Sequence, residues 1–259
     1  MKGAQTKPLV ISKYFVLSLF FSLPFILLLS LRPYYHRFST ATTNIPPSSD
    51  KSNSESADLK IRPGYTSYER YIKKQLNKTL DPKLRKIWTT RDWDRKIQVF
   101  SRFFDGLKGE GLISTESKAL CIGARVGQEV EALRKIGVLD SIGMDLVPYP
   151  PLVVEGDFHN QPFGNNTFDF EFSNVFDHAL YPERFVAEIE RTLKPGGICV
   201  LHVALSRQTD KYSANDLYSV KPLKALFRRS TVVRVGKIDG FGLDTEIVFR
   251  KTTSTIQRS

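Results

Sequence analysis

The sequence predicts an α/β domain in which helices doubly wind a mostly parallel seven-stranded sheet, closed by an antiparallel hairpin and preceded by one apolar helix. Three observations predict it. Short β-rich runs alternate with helical ones across residues 113–251, the pattern of strands joined by crossover helices. The strand runs are mostly apolar throughout, as expected where helices cover both faces of a parallel sheet. Tyr14 to Leu31 (YFVLSLFFSLPFILLLSL) is an 18-residue run without a charge.

A chain of 259 residues, 41% hydrophobic and 25% charged, suits one globular domain with appendages and excludes wholesale disorder. The net charge of +11 invites phosphate-bearing partners. The positive excess is spread out, however, heaviest between Arg62 and Arg102, and no nucleic-acid signature accompanies it, so no nucleic acid is expected as partner. Cys121 and Cys199 lie inside apolar runs and form no disulfide framework.

Residues 1–13 read as a cytosolic tail and 14–31 as a transmembrane signal anchor. The run is just long enough to cross a hydrocarbon core about 30 Å thick, and lipid-embedded helices tolerate a residue such as Pro24. A cleaved signal peptide competes, because Lys2, Lys7 and Lys13 precede the run. The apolar stretch is long for that, and the small pair Ser39 and Ala41 stands well beyond it, behind Tyr34, Tyr35 and Phe38. An uncleaved anchor is the preferred reading. Three lysines before the span against Arg32 and Arg37 after it favour a cytosolic N-terminus and a lumenal body. The sequons Asn77-Lys78-Thr79 and Asn165-Asn166-Thr167 agree with that side. The expectation is a single-pass protein of the Golgi or endoplasmic reticulum.

Residues 32–64 read as a flexible stem, since STATTNIPPSSDKSNSESAD from Ser39 to Asp58 has almost no large apolar residue to bury. Residues 65–112 read as a helical cap. Trp93, Ile97, Phe100, Phe104 and Leu107 recur every three or four residues, with Asp92 placed to cap their helix. The stripe is expected to pack on the sheet or to cover a pocket opening.

Strands are predicted at Lys118 to Ile122, Ile142 to Asp145, Leu152 to Glu155, Phe168 to Ser173 and Ile198 to Ala204. A closing pair follows at Val232 to Lys237 and Thr245 to Arg250, turning at Asp239 to Gly242. Helices are predicted at Gly127 to Ile136 and Glu183 to Leu193, with a short one at Pro222 to Arg229. Residues 252–259 are a tail.

The first predicted sheet strand runs into Gly123-Ala124-Arg125-Val126-Gly127 and then a helix. In doubly wound sheets ligands bind at the carboxyl ends of strands, where a glycine turn lets the backbone approach them. Asp145 stands 22 residues beyond Gly123, at the end of the next strand, where a carboxylate can accept both ribose hydroxyls of an adenosine ligand. Gly127 alternatively permits close packing of helix on strand, and Asp145 alternatively is a turn residue. A nicotinamide dinucleotide is disfavoured, because its turn needs a further glycine where Gln128 stands.

Further on come Glu155-Gly156-Asp157-Phe158, Gln161-Pro162-Phe163, Phe168-Asp169-Phe170 and Lys194-Pro195-Gly196-Gly197. In that order they resemble the class I S-adenosylmethionine-dependent methyltransferases, particularly the type 11 group, over about Ala119 to Leu205. CIGARVGQEV, GMDLVPYPPLVVEGDFHNQPF and FSNVFDHALYPERF are similar to a plant, membrane-anchored branch of it. The resemblance implies a Rossmann-like methyltransferase domain at 113–251 with S-adenosyl-L-methionine as cofactor. It implies that Gly123 and Gly127 approach the methionine part, that Asp145 holds the ribose, and that Asp157 with Phe158 contacts the adenine. Asn174 then lies at the methyl group and substrate, and the Pro-Gly-Gly turn is structural.

Two positions depart from the family pattern. Cys121 stands where an acid usually helps hold the cofactor's charged amino-acid end, and Arg125 replaces the middle glycine. Arg125 would crowd that end or pair with its carboxylate; Glu129 is a candidate for the missing charge.

Methyl transfer requires positioning more than a nucleophile triad or a metal, and no metal-ligand spacing is seen. A base helps where the acceptor must lose a proton; His178 is the first candidate and His159 the second, each with a structural hydrogen bond as its alternative. The expected function is methyl transfer to a small-molecule or carbohydrate acceptor. The alternative is a non-catalytic scaffold or interaction protein retaining the fold. Acceptor contacts are expected from the cap and from 206–229, including Arg207, Lys211 and Tyr212, which alternatively form a solvated loop.

Overall fold

A computed structural model describes residues 58–205 and 210–253. The anchor at 14–31, the tail before it, the stem up to residue 57, Arg207 and residues 254–259 lie outside the described residues. Among the described residues no helix is long and apolar enough to cross a membrane.

The chain enters through a short strand, β1 (Leu59–Ile61), followed by helices α1 (Tyr68–Thr79), α2 (Pro82–Thr89) and α3 (Trp93–Gly109). Ser67 starts α1 by accepting the Arg70 N–H, and Asp81 starts α2 by accepting from Lys83 and Leu84, the usual repair of unsatisfied helix N-termini. Asp92 holds the corresponding position of α3 but makes no capping bond. Its backbone is already helical and its carboxylate is taken by Arg91 and Arg95, at 3.1 and 3.5 Å.

Then come β2 (Ala119–Ile122), α4 (Gln128–Lys135), β3 (Ser141–Asp145), β4 (Val153–Glu155), β5 (Phe168–Ser173), a 3-10 turn (Phe176–His178), α5 (Pro182–Thr192) and β6 (Leu193–Val203). The chain ends with β7 (Asn215–Leu217), α6 (Lys221–Leu226), β8 (Ser230–Gly240) and β9 (Leu243–Lys251). The main sheet has seven strands in the order β4-β3-β2-β5-β6-β9-β8. Pairing is parallel from β4 through β6, and β9 runs antiparallel to both of its neighbours.

Alternation along the strands, interrupted on β5 by an irregularity between Phe168 and Phe170, sends residues to two apolar layers. Ala119, Cys121, Phe170 and Phe172 face α3 and α4, where Phe100, Phe104, Val130 and Leu133 pack on them. Leu120, Ile122 and Phe168 face α5, meeting Phe185 and Ile189. The α3 stripe therefore covers the sheet: the Phe104 ring sits 5.0 Å from that of Phe172 at 89°, an edge-to-face contact. A third cluster around Tyr71, Ile72, Leu146 and Leu180 seats α1 over the carboxyl ends of the strands.

Three elements differ from expectation. Residues 59–61, placed in the flexible stem, pair antiparallel with β7, and Arg62 bonds Asp216 at 2.7 Å. Backbone ladder and ion pair supply there what apolar burial does not. Strand β6 begins at Leu193 instead of Ile198, taking in Lys194 to Gly197 through a register shift against β5, with Gly196 at φ +80°. The closing hairpin turns on Phe241 and Gly242 alone, at φ +55° and +88°, the signs of the primed two-residue turn that matches strand twist.

Candidate functional site

Strand order reverses between β2 and β5, the place where open α/β sheets leave a crevice at the strand ends. A cavity of about 390 Å³ opens there. Its floor is the turn after β2. Gly123 has φ +73°, and a Cβ on it would collide with Val175 in the loop after β5. Gly127 has φ +87°, but its missing Cβ faces Leu152 and Val153, at 2.6 and 3.2 Å, and it does not line the cavity. Of the two glycines, Gly123 borders the site. Gly127, expected beside a ligand, lets α4 pack closely on Leu152 and Val153.

Arg125 sits between them with φ +52°, a conformation that costs a non-glycine residue about 1–3 kcal/mol. Two contacts hold it there: its N–H donates to Asp145 Oδ2 at 2.9 Å, and its guanidinium lies 5.3 Å from the Trp88 ring. Its Nε is buried without a partner. Asp145, at the end of β3, lines the cavity, and its other oxygen accepts only a long 3.5 Å bond from Val147. Burial pushes its carboxyl above the usual range despite these donors.

Phe158 lines the cavity, but Asp157 does not. The Asp157 carboxylate accepts the Tyr68 O–H and, at 2.9 Å, the His159 N–H. Burial works to raise its pKa, but the hydrogen bonds from His159 and Tyr68 win and hold it low. Asp157, expected beside adenine, is thus engaged by α1. His159 is engaged too. Its Nε2 accepts the Tyr181 N–H at 3.2 Å and its Nδ1 lies 2.9 Å from the Tyr68 hydroxyl, so neither nitrogen is open as a base.

Asn174 ends β5 at the cavity wall and donates to Glu129 Oε1 at 3.3 Å. Glu129 Oε2 is buried without a partner. His178, also in the wall, is wired on both sides. Gln75 donates through Nε2 to the Tyr212 carbonyl at 2.8 Å, which turns its Oε1 toward His178 Nδ1 at 3.0 Å. The opposite nitrogen, Nε2, lies 3.2 Å from Lys78 Nζ, and Lys78 pairs with Asp210 at 2.5 Å. Burial pushes the His178 pKa down, Asp177 opposes this, and the Lys78 charge reinforces it. The ring is thus neutral, with its proton on Nδ1.

The sequence reading did not single out Gln75, Lys78, Lys96, Asp210 or Phe241, all of which line the cavity. Lys96 carried a legible signal: it falls on the apolar stripe, three residues after Trp93 and four before Phe100. Lys211 and Tyr212 do not line the cavity; Tyr212 contributes its carbonyl to Gln75.

Residues 120–201 match the profile of a family described as a methyltransferase domain. The 1,6-didemethyltoxoflavin-N1-methyltransferase of Burkholderia thailandensis, solved with 1,6-didemethyltoxoflavin and S-adenosylhomocysteine bound, is similar in structure. The similarity covers 74% of this chain and 94% of that one, at 17% identity and a TM-score of 0.58. A putative sarcosine dimethylglycine methyltransferase from Galdieria sulphuraria is similar over 60% of this chain and 86% of its own, at 17% identity and a TM-score of 0.46. No curated protein sequence matches the chain. The first of these structures shares the fold of this chain.

Proposed function

We propose that the chain is an S-adenosylmethionine-dependent methyltransferase whose acceptor is a carbohydrate or small molecule bearing a hydroxyl or carboxyl group. The observation that carries the reading is the meeting of Gly123, Asp145, Phe158 and Asn174, from the ends of β2, β3, β4 and β5, in one cavity within a methyltransferase domain. The residues fit the cofactor. Asp145 offers oxygens to the ribose hydroxyls, Gly123 lets the backbone come close, and the unpartnered Arg125 Nε and Glu129 Oε2 are polar groups that a charged ligand would satisfy.

When bound, the cofactor supplies a methyl group already activated on a sulfonium, so the protein's task is to orient the acceptor and exclude water. Helix α1 roofs the cavity through the Tyr68 bond to Asp157 and the Tyr71 bond to the His178 carbonyl at 2.9 Å. His178 is neutral, and its Nε2 takes the proton of a hydroxyl acceptor that displaces the Lys78 ammonium from it, Lys78 keeping its pair with Asp210. Arg125 lies against Trp88 and leaves the cavity open, which favours an enzyme over a scaffold.

The anchor is part of the same reading. The uncharged 14–31 run and its flanking charges support a lumenal domain tethered in the Golgi or endoplasmic reticulum, and the exposed Asn77 and Asn165 are accessible for glycosylation there.

Calorimetry of the full chain with S-adenosylhomocysteine tests the proposal. Binding is expected, with a loss of about a hundredfold in Asp145→Ala, which removes both charge-assisted ribose contacts. Absence of binding by the wild type at millimolar ligand refutes it.

A further inference from the structure

Cys121 leaves the end of β2 without the charge that would meet a zwitterion. It is 1% exposed, and burial, then the nearby Glu129 charge, pushes its thiol well above the usual range. It is a neutral packing residue.

Glu129 itself is only 2% exposed and stands behind the cavity lining, with one oxygen bonded to Asn174 in the wall and the other unpartnered. A buried carboxylate left half satisfied costs stability unless a cation completes it. Lys96 is its counterpart of opposite sign. It is 6% exposed, reaches the cavity from α3, and among the described residues makes no hydrogen bond or ion pair. Its ammonium lies 5.1 Å from the Phe241 ring. Arg125 lies on the same side, its Nε unpartnered.

We propose that these groups hold the methionine end of the cofactor, with Glu129 receiving its ammonium and Lys96, beside Arg125, receiving its carboxylate. The proposal rests on the cofactor reading above and deepens it: charge recognition has moved off the end of the strand onto two helices, α4 and α3. Groups of both signs are needed there, because the amino-acid end carries an ammonium and a carboxylate on one carbon. Glu129 alone would hold only half of it. The opposite wall, with His178, Lys78 and Asp210, is left for the acceptor.

Two probes separate this from the cofactor reading itself. S-adenosylhomocysteine carries the amino-acid end, whereas 5′-methylthioadenosine has the same adenosine and thioether without it. Calorimetry on the full chain is expected to show S-adenosylhomocysteine binding about tenfold or more tighter than 5′-methylthioadenosine. Glu129→Gln and Lys96→Met, both close in shape to the native side chains, should each remove most of that advantage. Binding of 5′-methylthioadenosine should stay within about twofold, which also verifies that the variants fold. Equal binding of the two ligands by the wild type overturns the inference, as does equal weakening of both ligands in the variants. If neither ligand binds the wild type, the cofactor reading falls, and this inference with it.

Discussion

His178 Nδ1 lies 3.0 Å from Gln75 Oε1, and this contact leaves only the opposite ring nitrogen able to receive a proton. The direction of the bond is set one step further out, where the Gln75 amide donates to the Tyr212 carbonyl. Replacing Gln75 by Leu should free the ring to take either tautomer. Nitrogen-15 NMR of His178 is expected to show the Nδ1–H form in the wild type and a mixture in Gln75→Leu. A wild-type ring protonated on Nε2 would rule out its role as base.

Lys78 acts on the same ring through charge. Its ammonium, 3.2 Å from Nε2, helps burial keep the imidazole neutral. Lys78→Met should raise the His178 pKa, seen as an earlier loss of the neutral signal, at higher pH, on acidification. An unchanged midpoint would show that the lysine belongs to Asp210 alone.

The two glycines of the turn should respond differently. Gly123→Ala drives a methyl into Val175 at the cavity floor and should impair both cofactor binding and stability. Gly127→Ala meets Leu152 at 2.6 Å away from the cavity. It should lower stability by about 1–3 kcal/mol while the folded fraction keeps its affinity. Urea melts read alongside calorimetry distinguish the outcomes.

Lys96 gives cofactor binding a pH dependence. Burial, then the charge of Arg125 with that of Arg95, pushes its pKa down to about 8 against the pull of Glu129 and Asp92. The lysine is charged below that value, so affinity for S-adenosylhomocysteine should fall as pH rises through about 8. Lys96→Met should flatten that part of the curve in a calorimetric titration series.

Glu171 gives stability a pH dependence on the other side of the sheet. It is fully buried, and burial raises its carboxyl from 4.5 to about 8 against the Thr192 hydroxyl that donates to it at 2.7 Å. A raised acid favours the folded state fully below 4.5, and that contribution is lost as pH rises through about 8. Glu171→Gln should therefore raise Tm more at pH 8 than at pH 5. An equal change at both would mean that the carboxyl titrates normally.

The strands of the main sheet were legible because each is a dense apolar run bounded by turn residues; Phe168–Ser173 coincides with its expected range. The β1–β7 pair was not, since Leu-Lys-Ile and Asn-Asp-Leu are too short to show a period and pair across more than 150 residues. That pair bears on how the protein is cut. Asn215 of β7 donates to the carbonyls of Phe176 and Ala179 on either side of His178, so a chain begun at Gly64 should lose thermal stability and order around the base.

Within the site, strand ends were legible and partners were not. Asp145 follows from its position after β3, whereas the diversion of Asp157 depends on Tyr68, 89 residues earlier in the chain. Local spacing does not encode such a contact.

The two-residue turn at Phe241 and Gly242 makes one wall of the cavity from the tip of a hairpin whose strands are part of the sheet. A ligand pressed against that wall meets groups with little rotational freedom left to lose. Its binding should carry a small conformational-entropy penalty there.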